Sequence, residues 1–561
     1  MKEINGITLK EMFISGANHL YNNYPAIDAL NVFPVPDGDT GLNMNLTVSS
    51  GAKEINNLND TNVYRVAKAF SKGLLMGARG NSGVITSQIF RGFANGLENK
   101  ETINAIEFGE AMMVGKEVAY KAVMRPVEGT MLTVIREAAE VLNEKAEADW
   151  SIKEALEVML EEAKASLERT PDLLPVLKEV GVVDSGGAGV VAILEGMLAA
   201  ITTGIVQKET ATATEVTSGF QMAGARIEGE EEYGYCTEFI LRIGGGEDPK
   251  KTFNEKRFAS VLNSQGNSIV MVRDEDILKV HIHTLRPGTT LTYAQQFGEF
   301  ITLKIENMTE QHDALSEKEH GAEFMGQTVT SATLSAAALK EYGLISTASG
   351  DGLEALFKEY RVDYVVKGGQ TMNPATEDFV AAIKKVNAKT VYLLPNNSNI
   401  ILAATQAAEV VNDEGQIKVF VIPSKTIPQG LVAAMNFNPE LPPEDNFEVM
   451  TEALSSVETG QITFAIKDTT IEGVTVKKDF YMALQGKAIL CSVKDKFEAL
   501  RTLLKSMIND LVGIVTLIYG EDVKEEEAAS VLEEMEGLYP RVDFELVNGG
   551  QPVYSFIVGV E

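Results

Sequence analysis

From Glu11 to about Thr203, apolar residues recur three and four positions apart, and this periodicity limits the first third of the chain to a stack of amphipathic helices. The segments "VYRVAKAFSKGLLMGA", "EFGEAMMVGKEVAYKAV", "TMLTVIREAAEVLNEKA", "IKEALEVMLEEAKASLERT" and "GAGVVAILEGMLAAI" each carry one apolar stripe. Striped helices bury their stripes against one another, so residues 1–204 are expected to form an all-α domain. Short glycine-rich joints connect the segments. The polar, threonine-rich run "QKETATATEVTSG" that follows has no periodicity and reads as a linker, placed at 205–218.

Beyond the linker the pattern changes to short apolar runs. "YGYCTEFILRIG" reads as a strand, "NEKRFASVLNSQG" as a helix, "NSIVMVRDEDILKVHIHT" as two strands about a "DED" turn, "TTLTYAQQFGEF" as a helix and "ITLKIEN" as a strand. That β-α-β-β-α-β order is the split βαβ pattern of a ferredoxin-like α+β sandwich, assigned to 219–325. The remainder, 326–561, alternates strands with helices. "YGLISTA", "DYVVKG", "TVYLLPN" and "KVFVIPS" are the expected strands of a parallel α/β sheet. "ITFAI", "AILCSV", "IVTLIYG" and "FELVNGG" belong to a second α/β portion.

Length and composition agree with several domains. A chain of 561 residues exceeds the roughly 250–300 that one hydrophobic core supports. A formal net charge of −31 disfavours nonspecific binding to nucleic acid or anionic membranes, so an anionic substrate needs a local cationic site. Only Cys236 and Cys491 are present, which argues against a disulfide framework and agrees with a reducing compartment. No signal peptide opens the chain, and no apolar stretch is expected to span a bilayer. A cytoplasmic chain without a transmembrane segment is the expectation.

Chemistry concentrates in the joints. "NVFPVPDGDTGLNM" fixes Asp37 and Asp39 two residues apart on a stiff turn, with Thr40 and Asn43 just downstream. Neighbouring carboxylates raise one another's pKa unless a proton or cation is shared, and a hard cation such as Mg²⁺ suits them. A solvated turn or helix cap is the plainer reading of this run alone. "GARGNSGVITSQ" places Gly80, Asn81, Ser82 and Gly83 at a helix start, where free N–H groups bind anions. "RPVEGTML" does the same with Gly129 and Thr130, and "VVDSGGAGVV" with Asp184, Ser185, Gly186 and Gly187. Each alone reads as a helix cap; four in one helical domain favour a shared phosphate site.

These motifs, in this order and spacing, resemble the DhaL-type ATP-binding domain of dihydroxyacetone kinase. The fit extends through "YGYCTEF", "VHIHT", "GGQTMNPATED", "LPNNSNI" and "KTIPQG", so the whole chain resembles the FakA/YloV-like family of bacterial fatty acid kinase catalytic subunits. The resemblance implies a barrel of antiparallel helices with ATP and Mg²⁺ at one end. Asp37 and Asp39 would hold Mg²⁺, and Asn31 stands where dihydroxyacetone kinases supply a further aspartate. Thr40 and Asn43 would contact phosphate; Asn81 and Ser82, between Gly80 and Gly83, would cradle it. Thr130 and Met131 would lie near the base, and Asp184 with Gly186 would close the pocket. No Walker-type P-loop signature occurs.

"VHIHT" points His281 and His283 to one face of a strand, and Cys236 lies in the first strand of the same sandwich. With water as a fourth ligand that set would suit Zn²⁺; exposed histidines and a buried thiol are the plainer reading. The resemblance makes all three functionally important, with metal binding, phosphate relay and assembly left open. The C-terminal region resembles the DegV-like fold, with Asn373, Thr376 and Ser398 as candidate anion-binding caps.

The resulting reading is an ATP- and Mg²⁺-dependent kinase. It would phosphorylate a fatty acid carboxylate, presented by a separate DegV-family fatty-acid-binding subunit, to an acyl phosphate for phospholipid synthesis. The resemblance adds a homodimer. The alternatives are one subunit of a dihydroxyacetone-type sugar kinase, or a non-catalytic nucleotide- or lipid-sensing regulator.

Overall fold

Each amphipathic helix near the N-terminus needs partners on both sides of its apolar stripe, and the chain supplies them in order. In a computed structural model, residues 1–32, 38–123, 125–209, 235–243, 267–274, 277–284, 287–307, 339–369, 372–471, 473–486 and 488–561 are described, with positions 253, 258, 261 and 262. Two units are present, Met1–Ala211 with Ala337–Glu561, and Thr212–Ala336.

The first unit opens with strand β1 (Glu3–Ile4), then α1 (Gly6–Asp28), α2 (Thr40–Asn56), α3 (Val63–Gly77) and α4 (Gly80–Gly96). After β2 (Ile103–Asn104) come α5 (Ala105–Ala122), α6 (Met131–Lys145), α7 (Ile152–Leu173), the short α8 (Pro175–Val180) and α9 (Ser185–Thr202). Consecutive long helices pack in sequence, and α9 returns onto α1, so the ring closes. Asn5, Asn62, Asn104 and Ser151 cap the starts of α1, α3, α5 and α7 through their side-chain oxygens, and Glu107 and Glu154 complete capping boxes at the last two. The ring interior is apolar, with Phe13 stacked on Phe70 at 4.2 Å and Phe90 edge-on to both. Where α4 crosses α5, a Cβ on Gly92 would lie 2.5 Å from the Val114 carbonyl oxygen, and one on Gly115 would lie 2.7 Å from that of Ile89. Only glycine permits that approach.

Helices of an up-and-down ring alternate in direction. Hence α2, α4, α6 and α9 all begin at one end, away from the capped starts of α1, α3, α5 and α7. The expectation of no apolar span needs one correction. Helix α9 has the length and mean hydropathy, 1.5, of a membrane-crossing segment. Its packing on α1 inside the ring accounts for that hydropathy.

In the second unit, β3 (Tyr235–Ile243), β4 (Asn267–Asp274), β5 (Ile277–Thr284) and β6 (Gly298–Asn307) lie in the order β4-β5-β3-β6, with α10 (Pro287–Gln295) between β5 and β6. Every neighbouring pair is antiparallel, the arrangement of a split βαβ sandwich. Asp274 pairs with Ile277, and the rest of the expected "DED" turn lies outside the described residues.

The rest of the first unit begins with β7 (Lys340–Ala348), α11 (Asp351–Glu359), β8 (Tyr364–Lys367), α12 (Thr376–Val386), β9 (Ala388–Leu394), α13 (Ile401–Asp413) and β10 (Lys418–Val421). Their strands form an all-parallel sheet, β10-β9-β7-β8, as their apolar runs predict. Two helices, α14 (Ile427–Met435) and α15 (Pro443–Ala453), lead to a second sheet. It is built from β11 (Glu458–Phe464), β14 (Tyr481–Gln485), β15 (Ala488–Val493), β16 (Ile514–Tyr519), β17 (Asp543–Asn548) and β18 (Tyr554–Val560). A small hairpin, β12 (Thr469–Ile471) with β13 (Val474–Val476), stands apart, and α16 (Lys496–Met507) and α17 (Glu525–Leu538) complete the chain. The order is β15-β14-β11-β18-β16-β17, and only β16 and β17 run parallel. The second α/β portion is therefore mostly antiparallel.

The C-terminal part is not separate from the ring. Ala78 and Val84, from the α3–α4 region, sit in one buried cluster with Ile345, Phe379, Ile383 and Ala404. Ring and parallel sheet share a core there.

Candidate active site

The helix starts α2, α4, α6 and α9 converge through short polar contacts. Asn31 Oδ1 accepts from Thr40 Oγ1 at 2.9 Å and from Ser185 Oγ at 3.4 Å, joining the first loop to the starts of α2 and α9. Ser82 Oγ donates to the Thr40 carbonyl at 3.4 Å, bringing in α4. Gly80 has φ +57°, and a Cβ there would meet Asn43 Nδ2 at 2.6 Å, so glycine lets α4 begin against α2. Gly83 lies as close to Thr47 Oγ1, at 2.3 Å from its ideal Cβ. Asp184 and Gly186 lie against Met131, with Thr130 capping α6 at the Leu132 N–H.

Four helix N-termini at one place sum their positive ends. Two are already satisfied from their own sequence, since Thr130 caps α6 and Asp184 accepts from the Gly187 N–H at 2.7 Å. α2 is capped from outside, by Asp28 Oδ1 accepting from Gly41 at 2.6 Å and Leu42 at 3.3 Å. α4 starts at Arg79 with no side-chain cap, so Gly80, Asn81 and Ser82 present the N–H groups that a helix start leaves over. An oxyanion is the natural partner there.

Burial sets the local charges. Desolvation raises the Asp184 carboxyl to about 6, against the lowering effect of the Gly187 and Met131 N–H groups. Asp28 is raised to about 6 by the same cause, against the N–H groups of Gly41 and Leu42. Lys467, in the turn between β11 and β12, donates from Nζ to the Asn31 carbonyl, and burial pulls its pKa below that of an ordinary lysine. It is a cation held beside the loop.

The donor set fits a hard cation carrying phosphate. Asn31, Asp39, Thr40, Asn81 and Ser82 offer oxygen ligands and no sulfur or imidazole. Asn81 Oδ1 and Asn373 Oδ1 are buried without a hydrogen-bond partner, which leaves acceptors for a bound group to satisfy. Asp37 lies outside the described residues.

Three family models match the chain in order: the DAK2 domain over 34–199, the FakA-like fatty acid kinase middle domain over 232–315 and the FakA-like fatty acid kinase C-terminal domain over 343–561. Protein YloV of Bacillus subtilis is 45% identical over 566 residues, covering 100% of both chains. The chain belongs to the FakA-like, or YloV-like, family. A protein of Staphylococcus saprophyticus is 43% identical over 564 residues, again covering 100% of both. Among solved structures, DegV, a fatty acid binding protein from Bacillus subtilis, overlaps 39% of this chain and 99% of its own at 13% identity, with a TM-score of 0.30. A likeness at that level carries no argument about this chain.

In this FakA-like chain, the C-terminal candidates behave differently from helix caps. Ala375, not Asn373, precedes α12, and its N–H donates to Asp378 Oδ2 at 2.6 Å. Thr376 Oγ1 is buried and accepts from Gln406 Nε2 at 3.1 Å, a packing contact and not an anion site. Ser398 is exposed and caps nothing, because α13 starts at Ile401. In the middle unit the backbone register sets Cys236 opposite His283 and Glu238 opposite His281 across β3 and β5. The side chains of Cys236, His281 and His283 lie outside the described residues, and zinc gains no support. Among the described residues no group of three His, Cys, Asp or Glu is placed to hold a metal.

Sequence reasoning missed Asp28 and Lys467, and named Asn373 as a cap of α12 where its side chain instead reaches Asp39. Asp28 ends a helix whose stripe looked ordinary, although an acidic residue just upstream of a glycine-rich helix start was a signal. Lys467 and the Asn373 contact reach the site from far along the chain, and no local pattern announces either link.

Proposed function

We propose that this chain is the catalytic subunit of a fatty acid kinase, transferring the γ-phosphoryl group of ATP to a fatty acid carboxylate held by a separate binding protein. The observation that carries the reading is the uncapped start of α4, set against Asn31, Asp39, Thr40 and Ser82 where four helix N-termini meet. Family membership supplies the reaction class.

The N–H groups of Gly80, Asn81 and Ser82 would hold phosphate oxygens, and the Thr40 and Ser82 hydroxyls would fix the phosphates laterally. Asp39 and Asp37, with Asn31 nearby, would hold Mg²⁺, which would offset the charge of the phosphates. Asp184 keeps the starts of α6 and α9 together through the Met131 and Gly187 N–H groups. Lys467 braces the loop that carries the metal ligands. A carboxylate attacks without losing a proton, so no general base is required.

One feature favours presentation by a separate protein. The cavity at the carboxyl ends of β7, β8 and β9, lined by Thr347, Gly368, Asn396 and Gln551, has a volume of about 30 Å³. That is room for a water and not for an acyl chain. We further propose a cytoplasmic homodimer, whose dimeric mass light scattering would check.

The test is to incubate the purified chain with ATP, Mg²⁺ and oleate, with and without a fatty-acid-binding protein of the same cell, and to trap acyl phosphate as hydroxamate. Partner-dependent product is expected. Tight ADP binding with no turnover for any such partner would replace this reading with the nucleotide sensor, and transfer to dihydroxyacetone on its own binding protein would replace it with the sugar kinase.

A further inference from the structure

Asn373 belongs to the C-terminal part, in the segment before α12, yet its side chain ends in the helical ring. Nδ2 donates to Asp39 Oδ2 at 2.8 Å. The same atom lies 3.3 Å from an ideal Cβ on Gly80, at the start of α4. The Asn373 carbonyl accepts from Arg79 Nη1 at 2.9 Å, the Thr376 N–H donates to the Ala78 carbonyl at 3.2 Å, and Ala375 pairs with Arg79 as an antiparallel bridge. This is a strand-like splice between the two parts, centred on the residue that precedes α4.

The amide orientation follows from chemistry. Turned over, Asn373 would aim its carbonyl oxygen at the Asp39 carboxylate, acceptor against acceptor. With Nδ2 on Asp39, Oδ1 is buried and without a partner, in a residue only 2% exposed. An amide that holds a carboxylate with one end and keeps a buried acceptor at the other is placed as the outer support of a cation site. Such supports fix the orientation of the ligand itself.

We propose that Asn373 is a positioning residue for phosphoryl transfer: it orients the Asp39 carboxylate for the metal–nucleotide, so cation binding depends on the C-terminal part being docked. The proposal rests on the kinase reading of the site.

The experiment measures ADP binding by calorimetry on the full chain, with and without Mg²⁺, and needs neither acceptor nor partner. Asn373→Ala is expected to weaken Mg²⁺ binding in the presence of ADP by about 10- to 100-fold, the range for outer-shell partners, while ADP binding without Mg²⁺ stays as in the parent. Asn373→Asp sets a second carboxylate against Asp39. Its melting temperature should fall without Mg²⁺ and recover when Mg²⁺ is added, which Asn373→Ala should not do. Equal Mg²⁺ affinity in the parent chain and Asn373→Ala overturns the proposal and leaves the kinase reading standing. So does an Asn373→Asp melt that ignores Mg²⁺, since a purely structural amide would be damaged alike by both changes. If the parent chain binds no Mg²⁺–ADP at all, both this inference and the kinase reading fall.

Discussion

Asp184 shows how a single residue can be readable in kind and not in state. Its place before "SGGAG" marks it as a helix start, and the structure puts it there, accepting from Gly187 at 2.7 Å. That burial would raise its carboxyl to about 6 depends on Met131 and α6, packed against it from elsewhere in the chain. The sign of the consequence is definite. An aspartate whose pKa is higher folded than its ordinary value of about 3.9 adds stability that is full below pH 4 and lost as pH rises through about 6. Asp184→Asn removes that titration. In urea unfolding, the parent should lose on the order of 2 kcal/mol more than the variant between pH 4 and pH 7, read as a difference because other carboxylates titrate in both. A constant difference would show that Asp184 is not buried as described. At Asp39 the expectation concerns binding. Asp39→Ala should abolish Mg²⁺-dependent turnover and leave the far-UV circular dichroism unchanged, since the carboxylate caps nothing in α2. The asparagine and glycine signals of this site were visible because each lies within a few residues of its helix start. Lys467 was not, and Asn373 was visible only as a cap of its own helix, because a contact spanning 436 or 334 positions leaves no local trace.

At the scale of elements, helical periodicity located the ring helices, and continuous apolar runs located the four parallel strands. The ring helices and the four parallel strands stand where their patterns predict. Strand β18, "YSFIVGV", is buried at every position and lies in the middle of its sheet, so it has no alternation to detect. The hairpin β12–β13 is too short to show a period. Glycines inside helices carry information of a different kind: Gly92 and Gly115 mark a close backbone contact between α4 and α5. Gly115→Ala would put a methyl group 2.7 Å from the Ile89 carbonyl oxygen, within a contact between backbones. Overpacking of this sort costs roughly 1–3 kcal/mol. A fall of several degrees in melting temperature is expected, with Asp39 and the α4 start untouched and Mg²⁺–ADP affinity therefore close to that of the parent below the transition. An unchanged melting temperature would mean that the two helices move apart at little cost.

For the molecule as a whole, the outcome that sequence could not foretell is that residues 1–211 and 337–561 make one unit. The joint has an apolar and a polar component. Its apolar side is the cluster that takes Ala78 and Val84 into the core beneath the parallel sheet. Its polar side centres on Gln406, only 3% exposed, on α13. Gln406 Nε2 donates to the Leu75 carbonyl at 2.5 Å and to Thr376 Oγ1 at 3.1 Å, while Oε1 accepts from Gln88 Nε2 at 2.9 Å and Ser87 Oγ at 3.2 Å. A network satisfied at every corner holds its two parts in one register, and loses more than one bond when a corner is removed. Gln406→Leu keeps the volume and strands the Gln88 amide and the Leu75 carbonyl in a dry interface. The expected cost is about 2–6 kcal/mol, at 1–3 kcal/mol for each group left unpaired. Because the loss falls on the joint and not on either part's own core, it should appear as loss of cooperativity. Calorimetry of the parent should show ring and C-terminal part melting together; the variant should resolve them, with amide exchange in α4 and α13 rising before that in α1 and α9. Mg²⁺–ADP affinity should fall with it, since a loosened joint no longer presents Asn373 to Asp39. Exchange rising evenly over all four helices would instead place Gln406 in the general core, and the dependence of the nucleotide site on the C-terminal part would have to run through Asn373 and Arg79 alone.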